Sequence, residues 1–485
     1  MRSALYNRPS RIVERFPPAH GEEICDFSSV IGFKPDFLAP LKDKRDDIRK
    51  SFYSRLCDGF IEHNEDVFRR FHIEVGTYVG RSSILLSLKT NDIIGAFPLK
   101  CPLTGQWKHR LIVHPRQGWA NFGKVLSAIG LKRTPNLLCD LPQYPYSSRD
   151  IPSWVMGSVI VGRIEALFSD LARRFQYTKD CLVAPKGRVD WLEYATVKIP
   201  KCKMLEVPCE FSVLQENDKL MGMIRYTLQR LRADLIGLKS EEYIVSDLLR
   251  RIEVMLRGVS QYAPMRPERE MLSPLFFGKV TPSMLFSDGL EAIQWAVENR
   301  GLAGDADFSG MAWELNVTEF FEAYVESVVA HMAKIAGGVV RSGRDYSSSI
   351  SIDWADGGRN LQQNLRPDII LERSDEIIIF DAKYKSYWQD LDPYRWKNLE
   401  DEERDSLRAD ILQVLAYSTC FGEKKIRVCL VYPCADNVYQ QLRDSNDICR
   451  VASVGARGVE LVLTVIPMNG NISLAAGNLC EAFAE

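Results

Sequence analysis

Hydrophobic and polar positions recur along this chain with two different periods, and the switches between them mark out its elements. Residues 1–70 are charged and mixed, with Lys42 to Arg49 resembling a solvated helix face. From His72 to Arg116 the period falls to two. Ser82 to Leu88, Ile93 to Leu99 and Leu111 to His114 are rich in β formers, with turn signals at Thr90-Asn91-Asp92 and Thr104-Gly105. This predicts a small antiparallel β unit over 71–120. Helical spacing takes over at Gly118 to Gly130 and Val155 to Gln176, the second carrying Ile160, Ile164, Leu167 and Leu171 on one side. Ala184 to Trp191 reads as a tight turn entering a strand. Cys209-Glu210-Phe211 leads into a helix from Asn217 to Leu231, and Ser246 to Leu256 and Leu290 to Glu298 read as further helices. Gly301 to Gly310 is the clearest linker, which leaves a mostly helical region over 121–300 and a last domain over 301–485.

Within that last domain, Trp313 to Ile335 reads as one long helix and Asp405 to Cys420 as another. Leu407, Ile411, Val414, Leu415 and Ser418 of the second would face a sheet, while Asp410, Gln413 and Tyr417 share a neighbouring face. Between the two helices, apolar β-branched runs on either side of Arg373 to Glu376 predict a hairpin. A pivot between Ser374 and Asp375 sets Asp368 opposite Asp381. Strand side chains alternate faces, so Lys383 points the same way as Asp381 and Ala382 turns away. Strands at Lys425 to Tyr432 and Val459 to Ile466 would complete a central mixed sheet flanked by helices, an α/β domain.

Two facing carboxylates repel each other and cost stability unless a cation is bound. Mg²⁺ takes one or two protein carboxylates together with water and substrate phosphate. A lysine beside it can position or deprotonate the attacking water and offset charge on a scissile phosphate. The same residues also fit an ordinary half-buried hairpin with acids at its ends.

Composition narrows the picture a little. At 485 residues the chain exceeds one ordinary domain, and 46% hydrophobic with 26% charged residues is the balance of a soluble globular protein. A formal net charge of −2 gives no global pull toward nucleic acid, so any such contact must be local. The twelve cysteines form no C-x-x-C pair and the six histidines no metal-binding spacing, which argues against zinc. No apolar run is long enough to span a bilayer, Met1 to Pro18 lacks a signal-peptide core, and free thiols suit a reducing cytoplasm. There is no G-x-x-x-x-G-K-[ST] loop, so nucleotide hydrolysis would need another chain.

Pro367-Asp368 followed by Asp381-Ala382-Lys383 resembles the PD-(D/E)xK nuclease signature, and its surroundings resemble the McrC subunit of modification-dependent McrBC restriction systems. Upstream the likeness lies in Lys186-Gly187-Arg188, Cys209 and Asp218 to Leu231. After the linker it lies in Phe321-Glu322, which follows an apolar-Asn segment. Gln413-Val414-Leu415-Ala416-Tyr417 matches the Q-x-x-x-Y element of RecB-like members of the superfamily. The resemblance spans residues 80–440 loosely and 310–420 with specific motifs.

It implies a PD-(D/E)xK restriction-endonuclease-like sheet, preceded by the smaller β unit and the helical region. Asp368 and Asp381 would bind Mg²⁺, with Mn²⁺ tolerated, and the Ala382 carbonyl would add a ligand. Glu322 would aim at the metal or its water, Lys383 would serve the attacking water, and Gln413 and Tyr417 would order the site and touch DNA. The activity implied is DNA phosphodiester hydrolysis by metal-activated water, in a cytoplasmic hetero-oligomer with a McrB-like AAA+ GTPase and no membrane. The region before the linker would dock that partner, which would explain the missing phosphate loop.

Other readings of the residues stay open. Glu319 and Glu326 share the stripe of Glu322 and read as a solvated acidic face. Tyr387, Trp388, Tyr394 and Trp396 among Lys385, Arg395 and Lys397 can either grip nucleic acid or form a packed lid. The chain as a whole also fits a non-catalytic adaptor that binds DNA and stimulates a partner AAA+ NTPase, whose Mg²⁺ binding would ignore Asp368. A stand-alone RecB- or resolvase-type nuclease fits the hairpin but leaves the long upstream region idle.

Overall fold

The computed structural model describes residues 22–27, 31–33, 35, 38, 46–79, 84–138, 140–141, 151–171, 175–214, 218–237, 243–268, 270–272, 283–297, 312–354, 361–385, 401–422, 424–455 and 458–483. The chain divides into two compact units, one of Met1–Pro152, Glu242–Ile244 and Ser309–Glu485, the other of Ser153–Glu241 and Val245–Phe308.

The first unit begins with β1 (Glu22–Cys25), β2 (Ile31–Phe33), α1 (Asp46–Arg70), β3 (Glu74–Val79), β4 (Ile84–Lys89), β5 (Ile93–Lys100), β6 (Trp107–His114), α2 (Gly118–Ala128) and β7 (Asn136–Leu137). The segment that reads as charged and mixed contains a 25-residue helix with an apolar stripe. Tyr53, Leu56, Cys57, Phe60, Val67 and Phe68 are buried at three- and four-residue spacing, with charges on the other face. Buried Asn64 docks this helix on β5: its amide donates to the Lys100 carbonyl at 3.0 Å and accepts from the Lys100 N–H at 2.7 Å. Strands β2, β4 and β3 form one antiparallel sheet, while β1 runs parallel to β6, which pairs antiparallel with β5.

The second unit contains α3 (Trp154–Leu171), β8 (Phe175–Leu182), β9 (Arg188–Val189), β10 (Val207–Leu214), α4 (Asp218–Gly237), most of α5 (Tyr243–Gly258) and α6 (Met284–Val297). Ile160, Ile164, Leu167 and Leu171 are buried as their spacing predicts, but α3 stops at Leu171 because the chain turns into β8. Strand β10 pairs antiparallel with both β8 and β9. Gly187 enters β9 at φ +70°, and a Cβ there would meet the Glu210 carbonyl oxygen at 2.4 Å, so this turn requires glycine. Between β8 and β10, Val183, Trp191, Leu192 and Leu205 are exposed.

The rest of the first unit is β11 (Trp313–Asn316), α7 (Val317–Ala336), β12 (Val339–Ser342), β13 (Ile350–Ser351), β14 (Asn364–Leu365), β15 (Ile369–Glu372), β16 (Glu376–Ala382), α8 (Asp401–Ser418), β17 (Lys425–Cys434), α9 (Asp436–Asp444), β18 (Cys449–Val454), β19 (Val459–Pro467) and α10 (Ile472–Ala482). Here two expectations change. Trp313 to Asn316 is a strand, because Trp313 and Leu315 are buried and alternate with half-exposed Glu314 and Asn316. It pairs antiparallel with β5, Trp313 opposite Ala96 and Asn316 opposite Ile93. That pairing merges the β unit of 71–120 with the domain of 301–485, so the expected divisions at 70, 120 and 300 do not mark the compact units.

The central sheet of this unit has the order β12-β15-β16-β17-β19-β18 and is mixed. The hairpin β15/β16 and the pairs β12/β15 and β18/β19 are antiparallel, while β16/β17 and β17/β19 are parallel. Every residue of β16 is buried, as expected for a parallel strand covered on both faces. Ile370, Ile377, Ile379, Val428, Leu430 and Tyr432 of the sheet form one core with Leu407, Val414 and Tyr417 of α8. The linker 301–310, the loop Asp356 to Asn360 and the aromatic cluster at 387–396 lie outside the described residues. Among the described residues no helix is long and apolar enough to cross a membrane.

Candidate active site

Hairpin register brings the two acids together. Ile369 pairs with Phe380 and Glu372 with Ile377, the pivot expected from the sequence, so the next step outward sets Asp368 beside Asp381. The turn is closed by the Arg373 N–H donating to the Glu376 carbonyl at 2.9 Å and by an Arg373 to Glu376 ion pair at 2.5 Å. Asp368 Oδ2 accepts from the Ala382 N–H at 2.8 Å, which locks the acid across the strand end. The Lys383 N–H donates to the Val431 carbonyl at 2.9 Å and carries the parallel pairing one residue past β16.

Lys383 reaches back on the Asp381 face, with its Nζ 2.7 Å from Asp381 Oδ2, 3.0 Å from Gln413 Oε1 and 3.9 Å from Asp410 Oδ1. Gln413 Nε2 donates to the Tyr417 hydroxyl at 3.1 Å, and that hydroxyl donates to the Arg366 carbonyl at 3.3 Å. A single chain of contacts therefore runs from the lysine through α8 to the backbone that precedes Asp368. Asp410 is the residue on this face to which sequence reasoning assigned no role. Buried on α8, it accepts from Lys385 Nζ with both oxygens, at 2.8 and 2.7 Å.

Glu322 lies half-buried in the second turn of α7 and lines one cavity with Asp368. The start of that helix is fixed by Asn316, whose side chain accepts from the N–H groups of Thr318 and Glu319 and donates to Asp92 Oδ2 at 2.7 Å. Glu326 departs from the expected solvated face. It is matched by Arg344, whose Nε lies 2.7 Å away, and by Ser342 Oγ at 3.0 Å, because the strand after α7 folds back along the helix. Glu319 is exposed, as expected of a solvated face, and pairs with Arg133 at 2.9 Å.

Electrostatically the site is an acid trap. Burial raises the pKa of Asp368 well above the usual carboxylate range, and the charges of Asp381 and Glu322 add to it. Burial raises Asp381 too, opposed by Lys383 and reinforced by Asp410. Glu322 is pushed up by burial and by Glu319 and Asp381. For Lys383 burial acts downward, but Asp381, Asp410 and Asp368 outweigh it and the pKa rises. Both oxygens of Asp381 are buried: Oδ2 is ion-paired with Lys383, and Oδ1 has no hydrogen-bond partner.

A buried carboxylate oxygen without a hydrogen-bond partner beside a second, part-buried acid fits a hard divalent cation, which removes the repulsion. Among the described residues no three His, Cys, Asp or Glu side chains form a ready cage.

Sequence reasoning gave no place to a second buried cluster behind Lys383. Tyr384 is buried between Phe27 and Phe321, with ring centroids 5.8 and 5.6 Å away, and under the Arg116 guanidinium at 4.1 Å. Asp26 Oδ1 accepts from the Arg116 N–H at 2.6 Å, and burial pushes the Asp26 pKa up to about 6. The available signal was small: one acid and one arginine 90 residues apart, and a tyrosine hundreds of residues further on.

No curated protein matches this chain. Among solved structures, a chain of a half-complex from the tetradecameric assembly of Thermococcus gammatolerans McrB AAA+ hexamers with bound McrC aligns at 11% identity and a TM-score of 0.38, covering 96% of this chain and 99% of that one. The cryo-EM structure of the Thermococcus gammatolerans McrBC complex aligns at 9% identity and a TM-score of 0.25, covering 64% and 88%. Neither likeness adds weight at these scores. A family model does: the one described as McrBC 5-methylcytosine restriction system component matches residues 147–433, more than half of the chain and including the hairpin and α8. The chain belongs to the McrBC 5-methylcytosine restriction system family.

Proposed function

We propose that this chain is the Mg²⁺-dependent DNA endonuclease subunit of a McrBC-type restriction system, built on a PD-(D/E)xK nuclease domain and working with a McrB-like AAA+ GTPase. The observation that carries this reading is the juxtaposition of part-buried Asp368 with fully buried Asp381, whose Oδ2 is ion-paired with Lys383 at 2.7 Å while its Oδ1 has no hydrogen-bond partner. A structural hairpin gains nothing from such crowding, since like charges side by side destabilise a sheet. A bound Mg²⁺, with Mn²⁺ as a substitute, would supply Lewis acidity toward the scissile phosphate and its attacking water.

The chain's own residues would do the rest. Asp368 and Asp381 would hold the ion, with the Ala382 carbonyl and Glu322 completing its surroundings. Lys383, steadied by Gln413, would orient the water and offset charge on the phosphate. Gln413 and Tyr417 would keep the lysine and the Arg366 carbonyl in register. The exposed apolar residues between β8 and β10, Trp191, Leu192, Val183 and Leu205, offer a docking surface for the AAA+ partner in the region that the family model covers.

The test is cleavage of modified DNA by the assembled complex with Asp381→Ala or Lys383→Ala. Cleavage should fall below detection while assembly and stimulation of partner GTP hydrolysis stay at wild-type levels. Cleavage retained by both variants sinks the site assignment.

A further inference from the structure

The turn after β12 has no part in the chemistry above, yet it is fastened to the backbone that enters the site. The Gly343 N–H donates to the Asp368 carbonyl at 2.8 Å, and Ser348 Oγ donates to the Pro367 carbonyl at 2.6 Å. A Cβ on residue 343 would stand 2.9 Å from the Pro367 carbonyl oxygen, so the approach requires glycine. Within this turn Tyr346 adopts φ +63°, a left-handed conformation that a bulky aromatic takes only where its surroundings enforce it. Tyr346 is 61% exposed.

Arg366 lies against that ring, its guanidinium 4.3 Å from the centroid. It too is exposed, and among the described residues no carboxylate takes up its charge. Arg344, which lines the same cavity, differs, since it is matched by Glu326. Arg366 and Asp368 line the same cavity of about 180 Å³, and the Arg366 carbonyl is held by Tyr417. A guanidinium that no carboxylate among the described residues neutralises, with its planar fork of donors, suits a phosphate, and the open face of an aromatic ring suits a base.

We propose that Arg366 and Tyr346 clamp one DNA strand beside the acid pair, the guanidinium on a backbone phosphate and the phenol ring stacked on an adjacent base. The inference rests on the endonuclease reading for its ligand. It deepens that reading by naming where the strand is gripped.

The experiment is binding of a short fluorescent single-stranded DNA by the full chain with Ca²⁺ in place of Mg²⁺, read by anisotropy over a range of salt concentrations. Arg366→Gln should weaken binding roughly tenfold and reduce the slope of log affinity against log salt by about one. Arg366→Lys should restore the slope. Tyr346→Ala should weaken binding roughly tenfold with the slope unchanged, and Tyr346→Phe should behave as wild type. An unchanged slope in Arg366→Gln, or no binding of the single strand by the wild-type chain, overturns the clamp. Because no cleavage is read, failure of the nuclease assignment stays distinguishable: Asp381→Ala could keep cutting while Arg366→Gln still loses its phosphate contact.

Discussion

Replacing Asp410 by asparagine separates the electrostatics of the site from its shape. The carboxylate is buried, takes two contacts from Lys385 and stands 3.9 Å from Lys383 Nζ. Opposite unit charges at that distance attract by about 4 kcal/mol gross at an effective dielectric near 20. Asparagine keeps one acceptor for Lys385, so the net cost to the fold is the difference between a charge-assisted and a neutral hydrogen bond, about 1–2 kcal/mol. Asp410→Ala removes both, at about 3 kcal/mol, the low end for a broken buried pair because the 29% exposed Lys385 can turn to water. Amide exchange in β16 and α8 should therefore speed up by about 5- to 30-fold in Asp410→Asn.

The functional sign is less obvious. The Asp410 charge raises the pKa of Asp381, so its removal lowers that pKa and leaves Asp381 ionised further into acid. Metal binding needs the ionised form, so the acid limb of the cleavage rate against pH should move to lower pH in Asp410→Asn. The assay is single-turnover cleavage by the assembled complex from pH 5 to 8 at fixed Mg²⁺. An acid limb that stays in place or moves upward refutes the argument that Asp410 acts on Asp381 through charge.

Two further outcomes follow from buried acids. Asp368 has a raised folded-state pKa, so its contribution to stability is present below the unfolded value and is lost as pH rises through the folded one. Without divalent metal, the melting temperature should fall from pH 4 toward neutrality, Asp368→Asn should flatten that fall, and Mg²⁺ should raise the wild-type midpoint at pH 7. Equal stabilisation of Asp368→Asn by Mg²⁺ counts against the site. Asp26, pushed to about 6 from 3.8, should cost about 3 kcal/mol above pH 6 and nothing below 3.8. Asp26→Asn keeps an acceptor for the Arg116 N–H and should unfold at higher urea than wild type at pH 7.5 but not at pH 3.5; a less stable variant at pH 7.5 contradicts this.

How far could the sequence be read? The hairpin was legible because its information is local: two apolar runs and a polar break set the pivot, and the period of two aligned Asp381 with Lys383. The helix α8 was legible for the same reason, since its apolar stripe faces one sheet. In α1 the buried stripe of Tyr53, Leu56, Phe60 and Val67 was written at the right spacing but diluted by many charges. Trp313 to Asn316 was misread because four residues show too little period to outweigh the helix that follows.

What the chain determined alone is what depends on neighbours within one element or one hairpin: the type of the strongly periodic strands and helices, the facing of Asp368 and Asp381, and the Gln413 to Tyr417 stripe. Tertiary structure decided the rest. It set Lys383 against Gln413 and Asp410, ran β11 alongside β5, matched Glu326 with Arg344, and packed Phe27 and Arg116 around Tyr384. The physical reason is that backbone periodicity is a property of consecutive residues. A buried charge finds its counter-charge only when distant segments close over it, and no local pattern records which segment that is.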